Sequence, residues 1–237
     1  MTTTPLVPDI PICVALDLPD SERVLSLATA TRDSVGVFKV GLTAIYGAGT
    51  DVVPALSEQR PVFLDAKLHD IPKQVSGAVE AIASLGIRYV TVHAAGGEEM
   101  VAAAVKAAGD STAVLAVTIL TSLDEHDLTR IGIAGGAESA VLRLAEIALD
   151  AGAPGLVCSP LEVEPVRSRF GTLAEGGPLL VVPGIRPAGS ARDDQARVLG
   201  PREALELGAD VLVVGRPITA ADDPGAAAAS ILSEVGS

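Results

Sequence analysis

Val62-Phe63-Leu64-Asp65-Ala66-Lys67-Leu68-His69-Asp70-Ile71-Pro72 is the stretch from which the rest of the chain can be read. It begins as an apolar strand and then brings in Asp65, Lys67 and Asp70. Strand side chains alternate between two faces, so Phe63, Asp65 and Lys67 fall on one face and Leu64, Ala66 and Leu68 on the other. The second set makes an ordinary buried face. The first does not, because burying a carboxylate and an ammonium is costly unless they are paired. Two readings stand at this point: a structural ion pair at a strand end, or a group of charges that carries chemistry. Asp70 falls where the strand gives way to a loop, before Pro72 stops regular pairing.

Outward from this stretch, short β-branched runs alternate with helical segments. The pattern predicts eight strands, at Ile12–Asp17, Val35–Val40, Val62–Lys67, Tyr89–His93, Val114–Ile119, Gly155–Cys158, Leu179–Pro183 and Val211–Val214. Between them lie amphipathic stretches such as 141–149, with apolar residues at helical spacing. The junctions Leu85-Gly86-Ile87, Ala151-Gly152-Ala153 and Leu207-Gly208-Ala209 repeat one design. Each ends a helix on a glycine suited to the left-handed conformation and enters an apolar strand a few residues later. Strand, helix, glycine, strand at this spacing implies right-handed βαβ units and a parallel sheet. Eight units favour a single (β/α)8 TIM barrel spanning 1–237 over a doubly wound open sheet. No G-x-G-x-x-G follows the first strand, which weakens the dinucleotide-binding form of that alternative.

Composition agrees with one large domain. The 237 residues are 49% apolar but only 2% aromatic, so the core must be built from Val, Leu, Ile and Ala. A net charge of −13 argues against a nucleic-acid surface, although a few converging cations could still hold a small anion. The opening residues lack a basic start followed by an apolar run, and no apolar stretch approaches the ~20 residues that span a bilayer. The expectation is a soluble cytoplasmic protein. Cys13 and Cys158 sit in separate strand-like runs and read as buried thiols. His69, His93 and His126 have no metal-ligand spacing among themselves. His93 reads as a hydrogen-bonded barrel histidine.

A barrel makes a positional statement, because its active site lies at the C-terminal ends of the strands. Asp17, Lys39, Asp65, Lys67 and His93 end strands one to four, and Thr121, Arg186 and Arg216 follow strands five, seven and eight. Scattered surface charge has no reason to converge there.

With these residues in place, the chain resembles orotidine 5′-monophosphate decarboxylase of the bacterial type over nearly its whole length. The resemblance is carried by Val14-Ala-Leu-Asp17, Phe38-Lys-Val-Gly41, Leu64 to Pro72 and Val92-His-Ala-Ala-Gly-Gly97. It continues through Leu120-Thr-Ser122, Pro183-Gly-Ile-Arg-Pro187 and Val214-Gly-Arg-Pro-Ile-Thr219. It implies decarboxylation to uridine 5′-monophosphate, the last step of de novo pyrimidine nucleotide synthesis, by a homodimer using no cofactor and no metal. Lys39, Asp65, Lys67 and Asp70 become a charged tetrad, with Asp70 entering the neighbouring subunit's site and Lys67 donating the proton. The implied substrate contacts are Asp17 to ribose, Thr121 to the pyrimidine, Ile71 and Gln74 beside the shared site, and Arg186, Gln195, Gly215 and Arg216 to phosphate.

Plainer roles stand beside several of these. Asp17 could cap the helix after Pro19, Thr121 could be turn chemistry, and Gln195 a solvated loop residue. The connection from Leu120 to about Ala137 could cover the substrate or be a surface excursion with its own helical turn. The loop from Arg186 to Gln195 is a second candidate cover. One departure from the family pattern is plain: Asn and Thr commonly follow Ile-Pro, whereas Lys73 and Gln74 stand here. Gln74 can still donate and accept.

Two rival readings remain. 3-Keto-gulonate 6-phosphate decarboxylase and hexulose 6-phosphate synthase share Asp-x-Lys-x-x-Asp but use magnesium and a Glu at the end of strand two, where this chain has Lys39. A non-catalytic nucleotide-binding barrel would have no use for Asp65 near a substrate carboxylate.

Overall fold

Eight short apolar runs, each too apolar to leave one face in water, close on themselves. A computed structural model of the chain describes residues 6–187 and 199–236. The strands are β1 Ile12–Ala15, β2 Val37–Val40, β3 Val62–Leu68, β4 Tyr89–His93, β5 Ala113–Val117, β6 Gly155–Val157, β7 Leu179–Val182 and β8 Val211–Val214. They run parallel in sequence order, and β1 pairs with both β2 and β8, so the barrel has no open edge. All eight predicted strands are found, most a residue or two shorter. The helices that return the chain end at the predicted junctions, where Gly86, Gly152 and Gly208 have φ of 74°, 86° and 108°.

Alternation divides the core into two layers. Outward-facing Val14, Phe38, Leu64, Val90, Ala116, Leu180 and Leu212 pack against the helices. Inward-facing Cys13, Val37, Phe63, Tyr89, Leu115, Leu179 and Val211 fill the barrel. Its base is tied down by Tyr89, whose hydroxyl donates to the Leu6 carbonyl at 2.7 Å and whose ring meets Phe63 edge-on. Continuing up the same inward rows, the next residues on β2, β3 and β4 are Lys39, Asp65 and Thr91, all buried. The filling thus turns from apolar to charged toward the C-terminal ends of the strands.

Regular alternation fails at one place. From Leu64 to Leu68 on β3, the partner strand β4 advances only from Val90 to Val92. Within this bulge Lys67 takes φ 47°, the one positive value on a non-glycine among the described residues. The strand therefore ends in a kink that re-aims a side chain, a recurrent use of bulges near active sites. Leu64 is buried as expected, while Ala66 and Leu68 beyond it are only partly so. Among the described residues no helix is long and apolar enough to cross a membrane.

Candidate active site

The polar layer is a clasp around one carboxylate. Lys67 Nζ lies 2.7 Å from both Asp65 oxygens, and Lys39 Nζ lies 3.2 Å from Asp65 Oδ2. The Thr91 hydroxyl donates to Asp65 Oδ1 at 3.0 Å. Lys39 is shared, reaching Asp17 on its other side at 3.2 Å. Asp17 is not a helix cap; that role falls to Asp20, which accepts from the Arg23 N–H. The approach of Asp17 to Lys39 depends on Gly41. A Cβ there would collide with the Asp17 carboxylate and come within 2.9 Å of Lys39 Nζ.

Burial pushes the Asp65 carboxyl up, but Lys39 and Lys67 outweigh it and hold the group below the ordinary carboxylate range. Burial likewise depresses Lys39, and Asp65 and Asp17 reverse this, so its ammonium is held charged beyond the usual lysine range. The folded state therefore favours ionised Asp65. Since its folded pKa is depressed, the stabilisation is present above the unfolded carboxylate range and is lost as pH falls through the folded value. The Tm of the wild type relative to Asp65→Asn should be flat from about pH 5 to pH 8 and fall below about pH 4, near the unfolded pKa of an aspartate. Calorimetric scans of both proteins across pH check this. A wild-type-minus-variant difference that rose on acidification would contradict the clasp.

The clasp forms the floor of a cavity of about 490 Å³ at the C-terminal mouth of the barrel. Asp17, Lys39, Asp65, Lys67, Thr121, Gly184, Arg186, Gly215 and Arg216 all line it. Gly184 has φ 85°, a conformation that suits glycine immediately before Ile185-Arg186. Gly215 precedes a single helical turn, Arg216–Thr219, with Pro217 in its first turn. Thr219 and Cys158 also line the cavity. Burial pushes the thiols of Cys13 and Cys158 well above their ordinary range, so neither is a ready nucleophile.

Three predicted residues stand outside this cavity. Asp70 is exposed just past β3, where its Oδ1 accepts from the Ile71 N–H at 2.6 Å. Ile71 is 63% exposed, and Gln74 is exposed in the first turn of the helix Pro72–Ala83. Gln195 lies outside the described residues, as does most of the Arg186–Gln195 loop. The Leu120–Ala137 connection is a surface excursion with its own helix, Glu125–Arg130, capped reciprocally by Asp124 and Asp127. Only its beginning, Leu120 and Thr121, reaches the cavity.

His93 differs from expectation. Among the described residues its neighbour is the His69 ring, 5.4 Å away, rather than a hydrogen-bond partner. Burial, His69 and Lys67 all hold His93 below the usual histidine range. Thr91 was missed. The available signal was its place on β4 between Tyr89 and His93, which puts it on the inward face beside Asp65. Among the described residues no group of three or more His, Cys, Asp or Glu side chains is arranged to hold a metal ion.

Residues 11–231 match the family model described as orotidine 5′-phosphate decarboxylase / HUMPS family. The chain belongs to that family. An orotidine 5′-phosphate decarboxylase of Anaeromyxobacter sp. (strain K) is 54% identical over 93% of this chain and 96% of its own. One from Thermobifida fusca is 52% identical over 95% of each chain. The crystal structure of orotidine 5′-phosphate decarboxylase from Lactobacillus acidophilus superposes with a TM-score of 0.83 at 38% identity, covering 97% of this chain and all of the other.

Proposed function

We propose that this chain decarboxylates orotidine 5′-monophosphate to uridine 5′-monophosphate, with Lys67 as the proton donor. The observation that carries the reading is a single carboxylate, Asp65, clamped by two lysines in a cavity that Arg186 and Arg216 also line. Its close relatives bear the name of that activity.

The chemistry follows from the charges. Breaking the bond between C6 and the carboxylate releases carbon dioxide and leaves the electron pair on C6, where the pyrimidine delocalises it poorly. That charge must be stabilised where it develops, and the Lys67 ammonium is the cation that does so. Lys67 then passes a proton to C6 and is reprotonated from solvent. Ionised Asp65 faces the substrate carboxylate, and like charges at short range disfavour the bound substrate more than the decarboxylating state. Lys39, held charged by Asp17 and Asp65, keeps the array near neutrality. Asp17 takes ribose hydroxyls, Thr121 the pyrimidine, and Arg186, Gln195, Gly215 and Arg216 the phosphate, where guanidinium forks suit planar bidentate recognition.

The reading extends to a homodimer in which Asp70, Ile71 and Gln74 complete the neighbour's site. Their exposure and their position outside their own cavity support this.

A spectrophotometric assay with orotidine 5′-monophosphate, run with and without EDTA, tests the function directly. Turnover should be unaffected by the chelator. Turnover only of a sugar phosphate, restored by magnesium after EDTA, would place the chain with the metal-using enzymes instead. Arg216→Ala should lower kcat/KM by roughly 10- to 100-fold, the range for a lost charge-assisted hydrogen bond. A kcat/KM equal to wild type would remove Arg216 from the phosphate site.

A further inference from the structure

We infer that Thr91 is a positioning residue for the reaction, its hydroxyl fixing Asp65 and the backbone of Lys67 together. The inference rests on the assignment of Asp65 and Lys67 to the chemistry. It goes further by naming what holds them.

Thr91 is fully buried on β4. Its Oγ1 accepts from the Lys67 backbone N–H at 2.9 Å and donates to Asp65 Oδ1 at 3.0 Å. A hydroxyl has one proton and two lone pairs, so both bonds form at once, the proton going to the carboxylate. The Lys67 N–H needs such a partner. It lies in the bulge where β3 and β4 lose register between Leu64 and Leu68, so the regular ladder is interrupted there. The same residue carries φ 47°, and strained backbone of this kind persists only where its surroundings over-determine it. The Thr91 hydroxyl is therefore a peg at the kink that turns Lys67 back over Asp65. The branched Cβ of Thr91 restricts the peg to few rotamers. Its other bond leaves the Asp65 oxygens less free to rotate away from Lys67.

Thr91→Val keeps the shape of the side chain and removes both bonds. The expected result is a folded protein with a kcat about 10²-fold lower, the scale for an ångström of misplacement at a reacting group. Affinity for uridine 5′-monophosphate should stay near wild type, because Arg186 and Arg216 are untouched. Thr91→Ser, which restores the hydroxyl, should recover most of the lost kcat. A merely structural threonine predicts a lowered Tm with kcat unchanged, and that outcome overturns the inference. So does equal impairment of Val and Ser, because retaining the hydroxyl would then have preserved nothing. Should the Val protein fail to fold, Thr91→Cys offers similar size with a much weaker hydrogen-bonding group. Wild-type kcat in that variant would again overturn the inference. Lys67→Ala run alongside separates the two claims. If it stays active, the assignment of the chemistry has failed; if it is dead while Thr91→Val is fully active, only the positioning role has.

Discussion

Lys67→Ala leaves a folded protein that binds uridine 5′-monophosphate but turns over orotidine 5′-monophosphate at least about 10⁴-fold more slowly, combining a lost general acid with lost charge stabilisation. Folding should survive because Asp65 keeps Lys39 at 3.2 Å and the Thr91 hydroxyl at 3.0 Å, so no buried carboxylate is left unpaired. Alanine also meets the left-handed backbone with no greater penalty than lysine. Product affinity should survive because Arg186 and Arg216, the proposed phosphate contacts, are untouched by the substitution. Single-turnover kinetics, circular dichroism and product titration together check the result. A variant within about tenfold of wild-type kcat would remove Lys67 from proton transfer, since a positioned general acid contributes at least ~10².

Asp70→Ala should be nearly as inactive, and mixing it with Lys67→Ala should bring activity back. If Asp70 serves the neighbouring site, each hybrid dimer has one site with both lesions and one with neither. Random exchange makes about half of the dimers hybrids, so activity should recover to roughly one quarter of wild type by this two-fold counting. The motivation is geometric. Asp70 is exposed, sits past the kink of β3, and lies outside the cavity its own chain forms. At contact distance a Coulomb interaction is too large for Lys67 to be indifferent to its loss. Subunit exchange verified by mass-tagged chains, with no recovery, would return Asp70 to its own chain or remove it from catalysis.

The barrel was legible because its determinants are local. β-Branched runs of strand length and a glycine at each helix exit are readable one segment at a time, and every predicted strand is present. The site was legible to the extent that it depends on strand ends: Lys39, Asp65, Lys67, Arg186 and Arg216 all meet at one cavity. Partnerships across strands were harder. Asp17 reads as a cap or a ribose ligand, and only the pairing of β1 with β2 shows it bonded to Lys39. Thr91 reads as an ordinary strand former, since threonine favours strands whatever its hydroxyl does. The kink at Lys67 was invisible because alternation assumes an unbroken pleat, and nothing in Asp-Ala-Lys announces a positive φ. Asp70 is exposed and lies outside its own chain's cavity, and no single-chain pattern encodes what it meets there.

The tied-down base of the barrel has a consequence for traffic. Phe63, Tyr89 and their inward-facing neighbours are almost wholly shut off from solvent. Under the proposed chemistry, nucleotide, departing gas and the water that recharges the lysine would all pass through the C-terminal mouth, where the described cavity lies. A nucleotide seated across that mouth would cover what lies beneath it, so its departure is the step that clears the site. Viscosity and added nucleotide should therefore act on the same step of the cycle.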